Sequence, residues 1–181
     1  AICVTMNETS LLNNIFRLRA KKIDKFATEA EAIQHKVLMN LVKTASDTEG
    51  GHKHNYSSMR GYEDFAANVG VQDYESLKGY IDRMRHGERD VIWNGEVCWF
   101  ARSSGTTDRS KYIPITSDGL LRSHTQGPRD VAAIVSSLFP DTHAYDGKLL
   151  TLGGSRRVER EGERALTGDL SAILIENTKS V

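Results

Sequence analysis

The sequence predicts an α/β fold in which a helical amino-terminal third precedes a region of alternating strands and helices. Apolar residues recur at intervals of three and four positions from residue 10 to about residue 90, a spacing typical of amphipathic helices. Short apolar segments at 97–101 and 112–115 then flank a loop of glycine and hydroxyl residues, which is typical of two strands joined by a turn. A chain of 181 residues is long enough to build one domain with a substantial core.

The composition is that of an ordinary globular chain and argues against several classes of function. Hydrophobic residues make up 39% and charged residues 27% of the sequence. Because 24 basic residues offset 24 acidic ones, no overall field favours binding to nucleic acid or to a membrane surface. No apolar run approaches the roughly 20 residues of a membrane span. The two cysteines, Cys3 and Cys98, provide no disulfide framework, so we expect a reducing, cytoplasmic compartment.

Two helices are predicted before residue 50. Ser10 is the expected cap of the first, whose inward face carries Leu11, Leu12, Ile15, Phe16 and Leu18. Thr28 is the expected cap of the second, a core helix that ends before Gly50–Gly51 and whose apolar residues include Val37, Leu41, Val42 and Ala45. The following segment, 52–54, contains two histidines but no Cys or acidic partner at the spacing of a metal site, so we interpret it as a polar loop.

Two further helices are predicted before the glycine-containing loop. A short one covers 62–69 and turns Tyr62, Phe65, Ala66 and Val69 inward. Asp73 is the expected cap of the next, which ends at Gly87 and carries an apolar face of Tyr74, Leu77, Tyr80, Ile81 and Met84. Aromatic residues at helical spacing are more often core than ligand pocket, so we assign this face to the core.

The region after the loop predicts two more helices and a strand. A helix begins near Ser117, with a kink or break at Gly127–Pro128. Residues 148–152 predict a buried strand, and the following segment 155–157 predicts either an anion contact or a solvated turn. Asp169 is the expected cap of a closing helix that turns Leu170, Ile173 and Leu174 inward.

The stretch from Trp99 to Pro114 carries the strongest functional signal. Hydroxyl residues surround a glycine and a basic pair follows: Ser103, Ser104, Gly105, Thr106, Thr107, Arg109 and Lys111. The backbone N–H groups of a glycine turn, rotatable hydroxyls and a compact lysine charge together suit a phosphate group. The spacing excludes the Walker A loop and the three-glycine dinucleotide motif, whereas an ordinary surface hairpin stays open as an alternative.

This loop resembles the phosphate loop of the adenylate-forming superfamily. Its wider context is similar to the auxin-responsive promoter family of acyl-acid amido synthetases, with the bacterial branch the closer match. The resemblance extends over most of the chain and includes Tyr62–Phe65, Asp73–Glu75 with Lys78, Trp99–Ala101, Leu152–Ser155 and Gly168–Ser171. Asp108 departs from the pattern, because the superfamily usually has glycine there.

The resemblance also implies a domain organisation. Members of the family are far longer than this chain, so residues 1–181 are expected to be the amino-terminal part of a large adenylation domain with a mixed sheet. In this arrangement about 10–90 is mainly helical, and 91–181 is α/β and contains the phosphate loop. The rest of that domain and a carboxyl-terminal domain are expected beyond Val181.

The activity implied by the resemblance is ATP-dependent adenylation of a carboxylic acid, followed by transfer to an amino acid or another amine. ATP and Mg²⁺ are the implied cofactors, and neither nucleic acid nor a membrane is an expected partner. The resemblance assigns phosphate binding to Ser103, Ser104, Gly105, Thr106 and Thr107, and a catalytic cationic role to Lys111. Two alternatives stay open: a catalytically inactive nucleotide- or partner-binding module, and a thioester-forming ligase that uses coenzyme A.

Overall fold

The computed structural model describes residues 5–6, 9–103, 111–144, 147–148, 157–161 and 163–177. Across these residues it forms eight α-helices and six strands, and most of the helices precede the sheet. In chain order they are β1 (Thr5–Met6), α1 (Thr9–Asp24), α2 (Ala30–Thr44), α3 (Glu49–Lys53), α4 (Tyr62–Asn68), α5 (Tyr74–Arg85), β2 (Trp99–Arg102), β3 (Tyr112–Ile115), α6 (Ser117–Gly119), α7 (Gln126–Leu138), β4 (Gly147–Lys148), β5 (Val158–Glu161), β6 (Ala165–Gly168) and α8 (Leu170–Asn177). The predicted fold class, a helical region followed by an α/β region, is confirmed.

The main sheet has four strands in the order β3-β2-β6-β5 and is mixed. β2 is antiparallel to β3 and parallel to β6, while β5 is antiparallel to β6. The sequence did not predict β5 or β6. β5 reads Val-Glu-Arg-Glu. Its charged residues suit an edge strand, but they lack the apolar pattern by which a buried strand is recognised in a sequence.

Helix α5 covers one face of this sheet, as its apolar stripe predicts. Ile81 and Met84 are 4% and 2% exposed and pack with Phe100 of β2 and Ala165 of β6. Asp73 caps the helix: its carboxylate accepts from the Ser76 backbone N–H at 2.8 Å, and the Ser76 hydroxyl accepts from the Asp73 N–H. The predicted cap and the predicted buried face of α5 are therefore both confirmed.

Helix α8 covers the opposite face. Ile173 is fully buried and packs against Ala101 and Ile115, with Leu170 beside them. Because successive residues of a strand point to opposite faces, neighbouring residues of β2 serve different cores. The predicted closing helix and its inward residues are confirmed.

Helices α1 and α7 pack along each other, and α1 departs from its predicted burial. α1 begins at Thr9, so Ser10 lies inside the helix. Ile15 and Leu18, which we expected to face inward, are 51% and 64% exposed. The contact instead includes an ion pair: Arg19 donates to both carboxylate oxygens of Asp130, at 2.7 and 3.0 Å, and this pair lowers the pKa of Asp130.

The prediction of α2 as a core helix is wrong for most of its length. Val37 and Leu41 are about half exposed, and Val42 is the buried residue that the helix contributes. The helix starts at Ala30 after Glu29, so Thr28 is not its cap. Apolar spacing shows that a helix has an apolar side, but the neighbours that cover that side are set by the tertiary fold.

Gly50–Gly51 is not the predicted break but lies buried inside α3. Thr48 caps this helix, because its hydroxyl accepts from the Gly51 N–H at 3.0 Å. A Cβ at Gly51 would lie 2.1 Å from the Ala45 carbonyl oxygen, so close approach explains the glycine. The predicted polar loop at 52–54 is also wrong in part, since residues 52–53 are the last residues of α3.

Two other helical predictions need correction. In α4, Tyr62 is 68% exposed and Ala66 is also exposed, so only Phe65 and Val69 of the predicted inward set are partly covered. The predicted break at Gly127–Pro128 is absent, because Pro128 lies in the first turn of α7, where a missing N–H leaves no intrahelical bond unmade.

A distortion nevertheless occurs just before that proline. Residues Leu120–His124 form a π-helical segment, and the Thr125 N–H donates to the Leu120 carbonyl at 2.9 Å. The sequence therefore indicated the region of the irregularity but placed it a few residues too late.

Candidate functional site

The predicted strand–loop–strand arrangement is confirmed in its two strands. β2 and β3 pair from Trp99 with Ile115 to Arg102 with Tyr112. One step beyond this ladder, the Ser103 N–H donates to the Lys111 carbonyl at 2.9 Å, and the Lys111 N–H donates to the Ser103 hydroxyl at 3.3 Å. The chain between Ser103 and Lys111 therefore leaves and returns at adjacent points.

The structure brings two of the six predicted site residues together. Ser103 and Lys111 close the end of the hairpin, as described above. The other four, Ser104, Gly105, Thr106 and Thr107, lie outside the described residues. Their assignment to phosphate binding stays a prediction.

Helix α5 supplies a third residue to this hairpin end. The Tyr74 hydroxyl accepts from the Tyr112 backbone N–H at 2.9 Å, and the Lys111 ammonium lies 5.5 Å from the centroid of the Tyr74 ring. Arg85 lies over the ring of Tyr112, with its guanidinium carbon 3.6 Å from the ring centroid. The sequence pattern assigns Tyr74 to the core and does not single out Arg85, because neither has a local signal that points to Tyr112, which is 38 and 27 positions away.

Opposite charges surround the start of α5. The pKa of the Asp73 carboxyl is lowered from its ordinary value of 3.8, first by the hydrogen bond from the Ser76 backbone N–H and in smaller part by the positive charge of Lys111. Lys111 is exposed, so its ammonium is accessible to an anion in solvent. This arrangement provides a positive charge at the end of the hairpin, with an ionised carboxylate nearby.

The end of β6 lies beside the end of β2. Since the two strands are parallel and Gly168 pairs with Ala101, their carboxyl ends meet at the same edge of the sheet. Asp169 follows β6 and accepts from the Ser171 hydroxyl at 2.6 Å and its N–H at 2.8 Å, and both bonds lower the pKa of Asp169. The carboxyl edge of parallel strands is the usual place for a ligand in open α/β sheets.

A cleft of about 410 Å³ lies at the other end of the hairpin, away from Ser103 and Lys111. Its lining includes Trp93, Cys98, Trp99 and Asn177. The Cys98 thiol is free. Neither Ser103 nor Lys111, the two predicted site residues that the structure describes, lines this cleft.

The described part of the chain offers neither a metal-binding cluster nor a membrane-spanning helix. No group of three or more His, Cys, Asp and Glu side chains is arranged to hold a metal ion there. The Nδ1 atom of His54 is instead 2.9 Å from the Asn68 carbonyl oxygen. None of the helices described is long and apolar enough to cross a bilayer.

Comparison with known proteins decides the family. Residues 19–179 match the model of the GH3 family N-terminal domain. The chain belongs to the GH3 family. This confirms the resemblance to acyl-acid amido synthetases that the motifs of the sequence predicted.

Several GH3 proteins are similar to this chain. It is 30% identical over 107 residues to indole-3-acetic acid-amido synthetase GH3.15 of Arabidopsis thaliana, a match that covers 54% of this chain and 17% of that protein. It is 32% identical over 102 residues to indole-3-acetic acid-amido synthetase GH3.8 of Oryza sativa subsp. indica, covering 55% of this chain and 17% of that protein. The chain therefore spans about a sixth of the length of these GH3 relatives.

A solved GH3 structure has the same fold. AtGH3.15 acyl acid amido synthetase, in complex with 2,4-DB, superposes with a TM-score of 0.73 at 23% identity. The superposition covers 86% of this chain and 27% of the AtGH3.15 chain. In the sequence comparisons and in the superposition alike, the match covers less than a third of the relative. Both therefore place the similarity in one segment of a longer protein.

Proposed function

We propose that this chain is the amino-terminal part of an ATP-dependent acyl-acid amido synthetase, an adenylate-forming ligase. The observation that carries the proposal is the hairpin end closed by Ser103 and Lys111, in a chain that matches the GH3 family model over 19–179. The names of the relatives support the ligase class, because they are amido synthetases. In this proposal residues 1–181 belong to one large adenylation domain, mainly helical over about 10–90 and α/β over 91–181.

The proposed ATP site uses the segment between β2 and β3. Ser103, Ser104, Gly105, Thr106 and Thr107 bind the phosphates through N–H groups and hydroxyls. Lys111 supplies a cation, for which its exposed ammonium at the mouth of the segment is suited. Mg²⁺ enters with ATP as its counter-ion and lowers the charge of the triphosphate.

The proposed reaction has two steps. A carboxylate oxygen of the acyl acid bonds to the α-phosphorus of ATP as the bond to the bridging oxygen breaks, which releases pyrophosphate. The nitrogen of an amino acid or another amine then bonds to the acyl carbon, AMP leaves and the amine loses a proton. Cationic and N–H groups are needed in the first step because two anions must approach each other.

The cellular setting proposed for this reaction is the cytoplasm. A chain with two cysteines and no disulfide framework suits a reducing compartment. The partners in this proposal are small molecules, an acid and an amine, together with the remainder of the same polypeptide.

Pyrophosphate exchange into ATP tests the first step in the protein encoded by the complete gene. Indole-3-acetic acid and 2,4-DB are the acids to try first, because they appear in the names of the relatives. We expect the Thr107→Ala, Lys111→Ala double variant to lower the exchange rate by about 10²-fold or more, as loss of an oxyanion donor does. The control is Lys53→Ala, since Lys53 bonds to Tyr80 rather than to the hairpin end. Unchanged exchange in the double variant contradicts the assignment.

The mass of the native gene product is a second test of the proposal. A product well above the 20.2 kDa of this chain is expected for a complete ligase. A native product near 20.2 kDa contradicts catalysis and favours the binding-module alternative.

A further inference from the structure

The Tyr74 side chain makes two contacts at the end of the β2–β3 hairpin, and the proposed reaction assigns a role to neither of them. Tyr74 is the first residue of α5 and is half-buried. Its position is fixed on the amino-terminal side by the reciprocal hydrogen bonds of Asp73 and Ser76, at 2.8 and 3.1 Å. The helix beyond it is anchored by Ile81 and Met84 in the core.

The first contact satisfies a backbone donor on an edge strand. β3 has β2 on one side and no further strand of the described sheet on the other. Because Ser103 and Lys111 form a hydrogen-bonded pair, the next pair along an antiparallel ladder, Arg102 with Tyr112, is a non-hydrogen-bonded one. The Tyr112 N–H therefore points away from β2, and the Tyr74 hydroxyl accepts it at 2.9 Å.

The second contact holds the side chain of the preceding residue. The Lys111 ammonium lies 5.5 Å from the centroid of the same Tyr74 ring, within the range of a cation–π interaction. One tyrosine thus binds the backbone on the carboxyl side of Lys111 and attracts its charged end. The guanidinium carbon of Arg85 lies 3.6 Å from the centroid of the Tyr112 ring, so α5 contacts the start of β3 at a second point.

We infer that Tyr74 is a positioning residue that holds Lys111 for phosphate binding at the end of the β2–β3 hairpin. The inference rests on the proposed function, because that function assigns Lys111 to ATP. Tyr74 reduces the freedom of a long, flexible side chain before ATP arrives, so less conformational entropy is lost on binding. Tyr74 acts through Lys111 and makes no contact of its own with the nucleotide.

The dissociation constant for MgATP, measured by calorimetry on the complete protein, tests the inference without an acyl acid. Tyr74→Phe keeps the ring but loses the hydrogen bond, and we expect MgATP to bind about two- to tenfold more weakly. Tyr74→Leu also loses the ring, and we expect a further loss of about two- to fivefold. Tyr80→Phe is the matched control, since Tyr80 lies on the same helix and its hydroxyl accepts from a different lysine, Lys53, at 2.8 Å.

Non-additivity separates positioning from a general structural role. If Tyr74 acts through Lys111, Tyr74→Leu changes MgATP binding by less than about twofold when Lys111→Ala is already present. An equal loss in both backgrounds overturns the inference, as does unchanged or tighter binding by Tyr74→Leu alone. If the wild-type protein does not bind MgATP, or if Lys111→Ala binds it normally, the proposed function itself fails. These results differ from those that overturn only the role of Tyr74, so the two failures are distinguishable.

Amide hydrogen exchange tests the contact independently of ATP. In Tyr74→Phe we expect the Tyr112 amide to exchange faster, while the Ser103 amide, which donates to the Lys111 carbonyl, keeps its protection. Unchanged protection of the Tyr112 amide overturns the inference.

Discussion

At the scale of single residues, the site depends on short polar contacts that join distant parts of the chain. Tyr74 and Tyr112 are 38 positions apart, and Arg83 reaches 34 positions back to Glu49 while also pairing with Glu88. The ion pairs of Arg83 with Glu49 and Glu88 lie at the exposed surface, so their contribution to stability is small. The contacts of Tyr74 differ because they fix a residue that the proposed reaction uses.

Asp73 gives a prediction about pH at this scale. Its folded pKa lies below 3.8, so the ionised carboxylate stabilises the fold fully above about pH 3.8 and loses this effect as the pH falls through the lower folded value. Asp73→Asn keeps a good cap without the charge. We therefore expect the stability difference between wild type and Asp73→Asn to shrink on acidification, as measured by urea unfolding at pH 5 and at pH values below 3.8.

The contribution of Lys111 is measured in the same system by NMR titration of the Asp73 carboxyl. The positive charge of Lys111 is one of the causes that lower the pKa of Asp73. Lys111→Ala is therefore expected to move that pKa upward, toward 3.8. A pKa that stays the same or falls in this variant contradicts the proximity of the two groups.

At the scale of the elements, local signals located helices well but not always their environment. Asp73 is the cap that the sequence predicts, and the structure adds that Ser76 completes a capping box with it through two hydrogen bonds. Gly50–Gly51 is misleading in sequence, because glycine pairs usually end helices, whereas these two lie buried within α3. The difference arises from close packing against residues 45–46, which no local pattern reports.

The glycines of two helices provide a matched pair of substitutions. A Cβ at Gly51 would lie 2.1 Å from the Ala45 carbonyl oxygen, so Gly51→Ala forces the backbone apart. We expect it to lower the free energy of unfolding by about 1–3 kcal/mol or more, as overpacking does. Gly79 is in the middle of α5, and a Cβ added there would meet no heavy atom within 4 Å. Gly79→Ala should therefore raise stability by about 0.5–1 kcal/mol.

Urea unfolding of the two variants under the same conditions checks the pair. If Gly51→Ala is as stable as wild type, the close approach of α3 to residues 45–46 is wrong. If Gly79→Ala is destabilised, the open surroundings of that position are wrong.

At the scale of the whole molecule, apolar side chains remain exposed on helices that also pack. On α7, Ala132, Ala133 and Ser136 are buried, while Val131, Ile134 and Leu138 are 61%, 43% and 68% exposed. The exposed three follow helical spacing, so they form one side of the helix. Soluble monomers seldom expose large contiguous apolar patches.

We therefore expect the 181-residue polypeptide, expressed alone, to self-associate. Ile134→Lys combined with Leu138→Lys is expected to reduce this association, measured by light scattering after gel filtration, because it places charges on the apolar side of α7. Lysine also suits the carboxyl-terminal half of a helix. Val71→Lys, which changes an isolated and fully exposed valine, is the control. Equal association of all three proteins contradicts the role of this side of α7.

The sequence by itself determined the fold class, the strand–loop–strand pattern and the family. It also determined both ends of α5 and the caps and inward faces of α5 and α8, since caps and periodicity are properties of neighbouring residues. The glycine and hydroxyl residues between Ser103 and Lys111 suited a phosphate group by their local chemistry, but the family resemblance supplied the assignment of the site, which stays a prediction.

Only the tertiary structure decided which apolar faces are covered, where β5 and β6 join the sheet, and that Tyr74 contacts Lys111 and Tyr112. These features depend on contacts between residues far apart in the chain. Local propensity gives a helix its apolar side and a strand its alternation, but burial needs a second surface, and the identity of that surface is fixed when distant elements pack.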